Sequence, residues 1–158
     1  MTKIEFHELN EPRHKDEVLA MMRSLYSEDP SANVEPSRFP LTIEFLIAHP
    51  LRGRIVLFSE GGSTLGYALL IPYWSNEFGG TLLYVDELFV IAAARNRGIG
   101  RSFFKFLEQT RPFDAVALAL EVNPANLGAR RLYESLGFSQ RKYSTLTYRF
   151  AEASGLHS

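Results

Sequence analysis

Thr81-Leu82-Leu83-Tyr84-Val85-Asp86-Glu87-Leu88-Phe89-Val90 is followed, after Ile91 to Ala94, by Arg95-Asn96-Arg97-Gly98-Ile99-Gly100-Arg101. The first run is rich in β-branched, aromatic and leucine residues and reads as a strand. Strict alternation puts Leu82, Tyr84, Asp86, Leu88 and Val90 on one face and Leu83, Val85, Glu87 and Phe89 on the other, so each face carries one carboxylate among apolar neighbours. Beyond the glycines, Ile99, Phe103, Phe106 and Leu107 fall at i, i+4, i+7 and i+8, the spacing of an amphipathic helix. A glycine loop between a strand and a helix brings unsatisfied backbone N–H groups to one point, which is an anion site. Gly98 and Gly100 let the main chain come close to a phosphate, and Arg95, Arg97 and Arg101 add charge around it. The loop lacks the Gly-Lys-Ser/Thr of a Walker motif, and Phe103 stands where a dinucleotide fingerprint needs a small residue.

Outward from this centre, Ile4 to Leu9 predicts a strand, and Val18, Met21, Met22 and Leu25 predict a helix. Ser27 to Pro40 is a proline-punctuated connection, and a short helical pattern spans Leu41 to His49. Arg54 to Glu60, Gly61-Gly62-Ser63 and Thr64 to Tyr73 predict a hairpin, and a turn at Ser75 to Gly80 extends it into an antiparallel meander. On the far side, Ala115 to Val122 predicts a strand covered on both faces. Asn126 precedes Ala129, Leu132, Tyr133 and Leu136 at helical spacing, and Gly137 stands where a left-handed C-cap belongs. A last strand is predicted from Ser144 to Phe150. The sum is an α/β fold: a mixed, mainly antiparallel twisted sheet of about six to seven strands with helices on both faces.

The chain has 158 residues, 46% of them hydrophobic, and a formal charge of −1. One domain over residues 1–150 with a loose tail over 151–158 suits that length. The near-neutral balance gives no global field toward nucleic acid or anionic lipid. With no cysteine there is no disulfide, thiolate metal site or cysteine nucleophile. The four histidines lack ligand spacing, so no metal is expected. No apolar run reaches membrane length and none opens the chain as a leader, which predicts a cytoplasmic protein with no membrane partner.

The strand end Leu88-Phe89-Val90, the loop Arg95-x-x-Gly98-x-Gly100 and the later segment Asn126-Leu127-Gly128-Ala129-Arg130-Arg131-Leu132-Tyr133-Glu134-Ser135-Leu136-Gly137-Phe138 resemble the GNAT superfamily of acyl-CoA-dependent N-acyltransferases. The sequence-specific part of the resemblance spans about Leu82 to Phe138, and the front third of the chain matches in outline. It implies acetyl-CoA as co-substrate, its pyrophosphate held by main-chain donors of Arg95, Asn96, Arg97, Gly98, Ile99, Gly100 and Arg101. It implies that the pantetheine arm pairs with the backbone of Leu88 and Val90 like an added strand. Asn126 matches a cofactor contact, while its position equally suits the N-cap of the following helix. Tyr133 matches the tyrosine that protonates the departing thiolate; by spacing alone it is a core aromatic. The acid that accepts the amine proton falls at Asp86, with Glu87 or a water as alternative.

The resemblance further implies direct attack of a primary amine in a ternary complex. Glu28, Asp29, Glu35, Glu77 and Asp86, with Tyr73 and Trp74, could surround a cleft that favours a small cationic amine such as a polyamine. Two alternatives stand beside this: a protein or peptide N-acetyltransferase, and a non-catalytic acyl-CoA sensor on the same fold. No nucleic-acid partner is expected, and a homodimer is the one oligomer the resemblance suggests.

Overall fold

Hydrophobic alternation sets the sheet. In β2 (Arg54–Glu60) Ile55 and Leu57 face one way and Val56 and Phe58 the other, all nearly inaccessible to solvent. Residues buried alternately on both faces need helices on both sides, and the chain supplies them. The computed structural model describes residues 2–151, which fall into two compact units, one through Asn123 and one from Pro124 onward.

In the first unit, β1 (Glu5–Glu8) precedes helix α1 (Lys15–Ser27) and helix α2 (Phe39–Ala48). After β2 come β3 (Ser63–Ser75), β4 (Gly80–Val90), helix α3 (Ile99–Thr110) and β5 (Ala117–Leu120). The strands lie in sequence order; β1 to β4 are antiparallel neighbours and β5 runs parallel to β4. Helices α1 and α2 pack Val18, Met22, Phe39 and Ile43 against Ile55, Leu57, Tyr67 and Leu69. On the other face Phe103 of α3 sits with its ring centroid 4.7 Å from Phe58 and 5.6 Å from Phe6. The fold is therefore the mixed, mainly antiparallel α/β sheet with helices on both faces.

Two strand expectations change. Five strands pair among the described residues, not six or seven: Ser144 to Phe150 is not a strand, and Leu146, Tyr148 and Phe150 are 92%, 84% and 85% exposed. Alternating hydrophobicity favours a strand only when a ladder partner is present. Ala117–Leu120 is half-buried throughout, where full coverage was expected, because β5 is the edge of the described sheet.

The second unit contains helix α4 (Leu127–Ser135). Asn126 caps it, accepting the Ala129 N–H at 3.1 Å. The helix closes as a Schellman turn on Gly137, whose φ is +93°. There the Gly137 N–H donates to the Glu134 carbonyl and the Phe138 N–H to the Tyr133 carbonyl, at 3.1 and 3.0 Å. The tail expected from Ala151 lies, after that residue, outside the described residues. Among the described residues no helix is long and apolar enough to cross a membrane.

Candidate functional site

The site begins with an irregularity in β4. Opposite β3, Leu69 pairs with Glu87 and Leu70 with Val85, so Asp86 is one residue too many and forms a β-bulge. The alternation predicted from sequence breaks there. Leu82 and Tyr84 share the α1/α2 face with Glu87 and Phe89, opposite Tyr73, Ile71, Leu69 and Tyr67 in the register. The two carboxylates were expected on opposite faces; instead both line one cleft. An inserted residue re-phases every side chain after it, which a period-two pattern cannot foresee.

The bulge also marks where the sheet opens. β5 pairs with β4 only from Leu82 to Val85, the last pair being Val85 with Leu120. From Asp86 to Val90, β4 has no strand beside it on that edge among the described residues. A parallel strand pair that separates at mid-sheet leaves main-chain donors and acceptors on its inner edge, and an extended chain can pair with them.

The open edge leads into the glycine loop. Asn96 and Gly98 are both left-handed, with φ of +60° and +76°. Gly98 is the N-cap of α3 and offers no side chain to its first turn, and a Cβ placed there would meet nothing within 4 Å. The first turn of α3 thus has no side-chain cap, and a helix start of this kind can serve as an anion cradle. Arg95 and Arg97, expected to supply charge there, are engaged elsewhere. Arg95 donates to the Val90 carbonyl at 2.9 Å and to Glu28 at 2.7 Å, tying the end of β4 to the end of α1. Arg97 binds both oxygens of Glu60 at 2.9 and 2.8 Å. In both cases a carboxylate of the same chain already pairs with the guanidinium.

The carboxylates differ in environment. Glu87 is 9% exposed and accepts from the Tyr26 hydroxyl at 2.5 Å and the Tyr67 hydroxyl at 2.6 Å. Burial lifts its carboxyl above the ordinary glutamate value, partly offset by the two phenols, and the neighbouring Asp86 charge adds to the rise. Both phenols are in turn held above the usual tyrosine value, first by burial and then by Glu87. Asp86 keeps solvent access through the cleft. The surrounding protein withdraws enough water to raise its carboxyl, and the Glu121 charge just beyond β5 raises it further. Asp86 is the carboxylate with oxygen atoms to offer a visitor; those of Glu87 are each engaged by a phenol.

The cleft holds about 1020 Å³, with Leu69, Ile71 and Pro72 from β3 and Phe39, Phe45 and Leu46 from α2 along its length. Of the acidic residues expected to ring it, only Asp86 lines it. Glu28 pairs with Arg95, Glu35 with Arg38 at 3.7 Å, and Asp29 accepts from Ser31. Tyr26 and Tyr67 were not foreseen as site residues. Tyr26 follows Val18 and Met22 at helical spacing, so its inward direction is legible; its partner is not. Leu88 and Val90 are half-buried and pair with Ala68 and Gly66. In the second unit, Asn126 is the helix cap described above. Tyr133 is half-buried against Phe138, with ring centroids 5.8 Å apart, and burial raises its phenol.

The model of the Acetyltransferase (GNAT) family matches residues 19–138. The chain belongs to the GNAT acetyltransferase family. Solved structures share the GNAT fold at low identity. A possible acetyltransferase from Clostridium difficile 630 superposes with a TM-score of 0.81 at 18% identity, covering 94% of this chain and 99% of that one. An aminoglycoside N-acetyltransferase in complex with CoA gives 0.75 at 14% identity, covering 95% and 96%. The ribosomal-protein-alanine N-acetyltransferase from Brucella melitensis biovar Abortus 2308 gives 0.70 at 17% identity, covering 94% and 100%. No curated protein sequence matches the chain.

Proposed function

We propose that this GNAT protein transfers an acetyl group from acetyl-CoA to the primary amine of a small molecule seated in the cleft beside Asp86. The observation that carries the reading is the opening of the sheet: β5 leaves β4 at the residue before the Asp86 bulge, and the freed edge runs to an uncapped helix start. That edge suits an extended pantetheine, and the loop from Arg95 to Arg101 suits a pyrophosphate. The solved aminoglycoside N-acetyltransferase in complex with CoA supports acetyl-CoA as the acyl donor here.

In this reading Asp86, directly or through a water, takes a proton from the ammonium form of the acceptor. The amine nitrogen bonds to the thioester carbonyl carbon, a β4 backbone N–H next to the bulge polarises the carbonyl oxygen, and the carbon–sulfur bond breaks. The family resemblance gives the acid role to Tyr133, whose phenol protonates the departing sulfur and regains a proton from the one the nitrogen sheds as the amide forms. The products are an N-acetylated amine and free CoA, and one proton is released to solvent overall. Glu87 is a positioning residue, fixing β4 against α1 and β3 through Tyr26 and Tyr67. Asn126 contributes to the cofactor side while it caps α4.

The test is acceptor-dependent release of CoA from acetyl-CoA across polyamines, aminoglycosides, amino acids and peptides. Saturable turnover with one class, and a rise in melting temperature with acetyl-CoA alone, are the expected results. A melting temperature unmoved by acetyl-CoA would remove the reading, and binding without any turnover would favour a sensor.

A further inference from the structure

The cleft has poles of opposite charge. At one end, by Leu69, stand Asp86 and Glu87; at the other, the loop between α2 and β2 brings Arg52 to the wall. Because Arg54 pairs with Leu70, Arg52 lies toward Ile71 and Pro72, away from the bulge. Leu69 to Pro72 spans three residue steps of β3, about 10 Å at the strand rise, and the side chains between are apolar.

The charges on the wall are unequally committed. Glu44 is paired with Lys15 at 2.6 Å and Arg38 with Glu35 at 3.7 Å. Arg52 stacks its guanidinium 5.8 Å from the Phe45 ring centroid, and among the described residues no carboxylate pairs with it. A guanidinium laid on an aromatic ring at the rim of a cleft keeps its in-plane N–H fork for a planar anion.

Building on the proposed acetyl transfer, we infer that the acceptor is an amine that also bears a carboxylate, joined to it through an apolar body, with the amine at Asp86 and the carboxylate at Arg52. The span matches an extended apolar tripeptide, whose residues cover at most about 3.3–3.6 Å each. A polyamine would instead bring a cation to Arg52.

The experiment compares the free acid of alanyl-leucyl-valine, its C-terminal amide and spermidine as acceptors for the full chain, with acetyl-CoA saturating. The free acid is expected to exceed the amide in kcat/KM by about tenfold or more, the scale of one charge-assisted hydrogen-bond pair. Arg52→Ala should erase that gap by raising KM for the acid alone, and Arg52→Glu should reverse it. Equal use of acid and amide, a preference for spermidine, or no turnover of any of the three would overturn the inference. Acetyl transfer itself fails separately, if acetyl-CoA leaves the melting temperature unmoved.

Discussion

Replacing Tyr67 by phenylalanine removes one oxygen and leaves the ring where it packs. Tyr67 is 0% exposed, and its hydroxyl lies 2.6 Å from Glu87, so no water replaces the lost donor without opening the core. A hydrogen bond to a charged group contributes about 1.5–3 kcal/mol. For a chain of this size each kcal/mol moves the melting temperature by about 2–4 °C, so Tyr67→Phe should melt about 3–12 °C lower at neutral pH. The pH dependence has a definite sign. The Glu87 carboxyl titrates above its unfolded value, so the stability linked to its proton is complete below that unfolded value and is lost as pH rises through the folded one. Tyr67 opposes that shift, so without it the folded value climbs further. The deficit of the variant therefore widens toward alkaline pH and narrows in acid, where the neutral carboxyl needs the phenol less. Thermal melts from about pH 5 to pH 8, in a double-mutant cycle with Glu87→Gln, measure it. A variant that melts with wild type at about pH 8, or one whose deficit grows on acidification, would refute the account of Glu87 as a carboxylate fixed by two phenols.

The same division of labour separates the carboxylates kinetically. Asp86→Asn should lower turnover by about 10²–10⁴-fold. It should also erase the acidic limb of the rate profile, which in wild type lies above the ordinary aspartate value because the carboxyl is raised; retention of that limb would pass the base to Glu87 or water. Gly98→Val forces a β-branched residue into a left-handed φ and covers the uncapped helix start, so acetyl-CoA affinity, measured by calorimetry, should fall at least about tenfold. Tyr133→Phe should lower turnover with acetyl-CoA affinity unchanged, measured by steady-state kinetics beside a binding titration; wild-type turnover would end its assignment as the acid.

Local chemistry by itself determined most of the element list. The pattern Val18, Met22 and Ile99, Phe103, Leu107 has one period that buries a stripe, the pair Gly61-Gly62 supplies the two positive φ values of a tight hairpin turn, and Asn126 with Gly137 brackets α4 at both ends. The glycine loop was legible for the same reason: helix polarity and an absent Cβ are properties of a few consecutive residues. What tertiary structure decided is whatever depends on register between distant strands. The bulge at Asp86 is invisible in an uninterrupted run of strand-forming residues, because it exists only relative to Leu69 and Leu70 across the ladder. From it follow the meeting of Asp86 and Glu87 in one cleft and the placement of Tyr26 and Tyr67, 61 and 20 residues away in sequence, on a single carboxylate. Which carboxylates the Arg95 and Arg97 side chains meet, Glu28 and Glu60, is decided the same way. Period and capping act within a few residues, so a sequence states them; pairing partners are chosen by packing the whole sheet, so only the folded chain can.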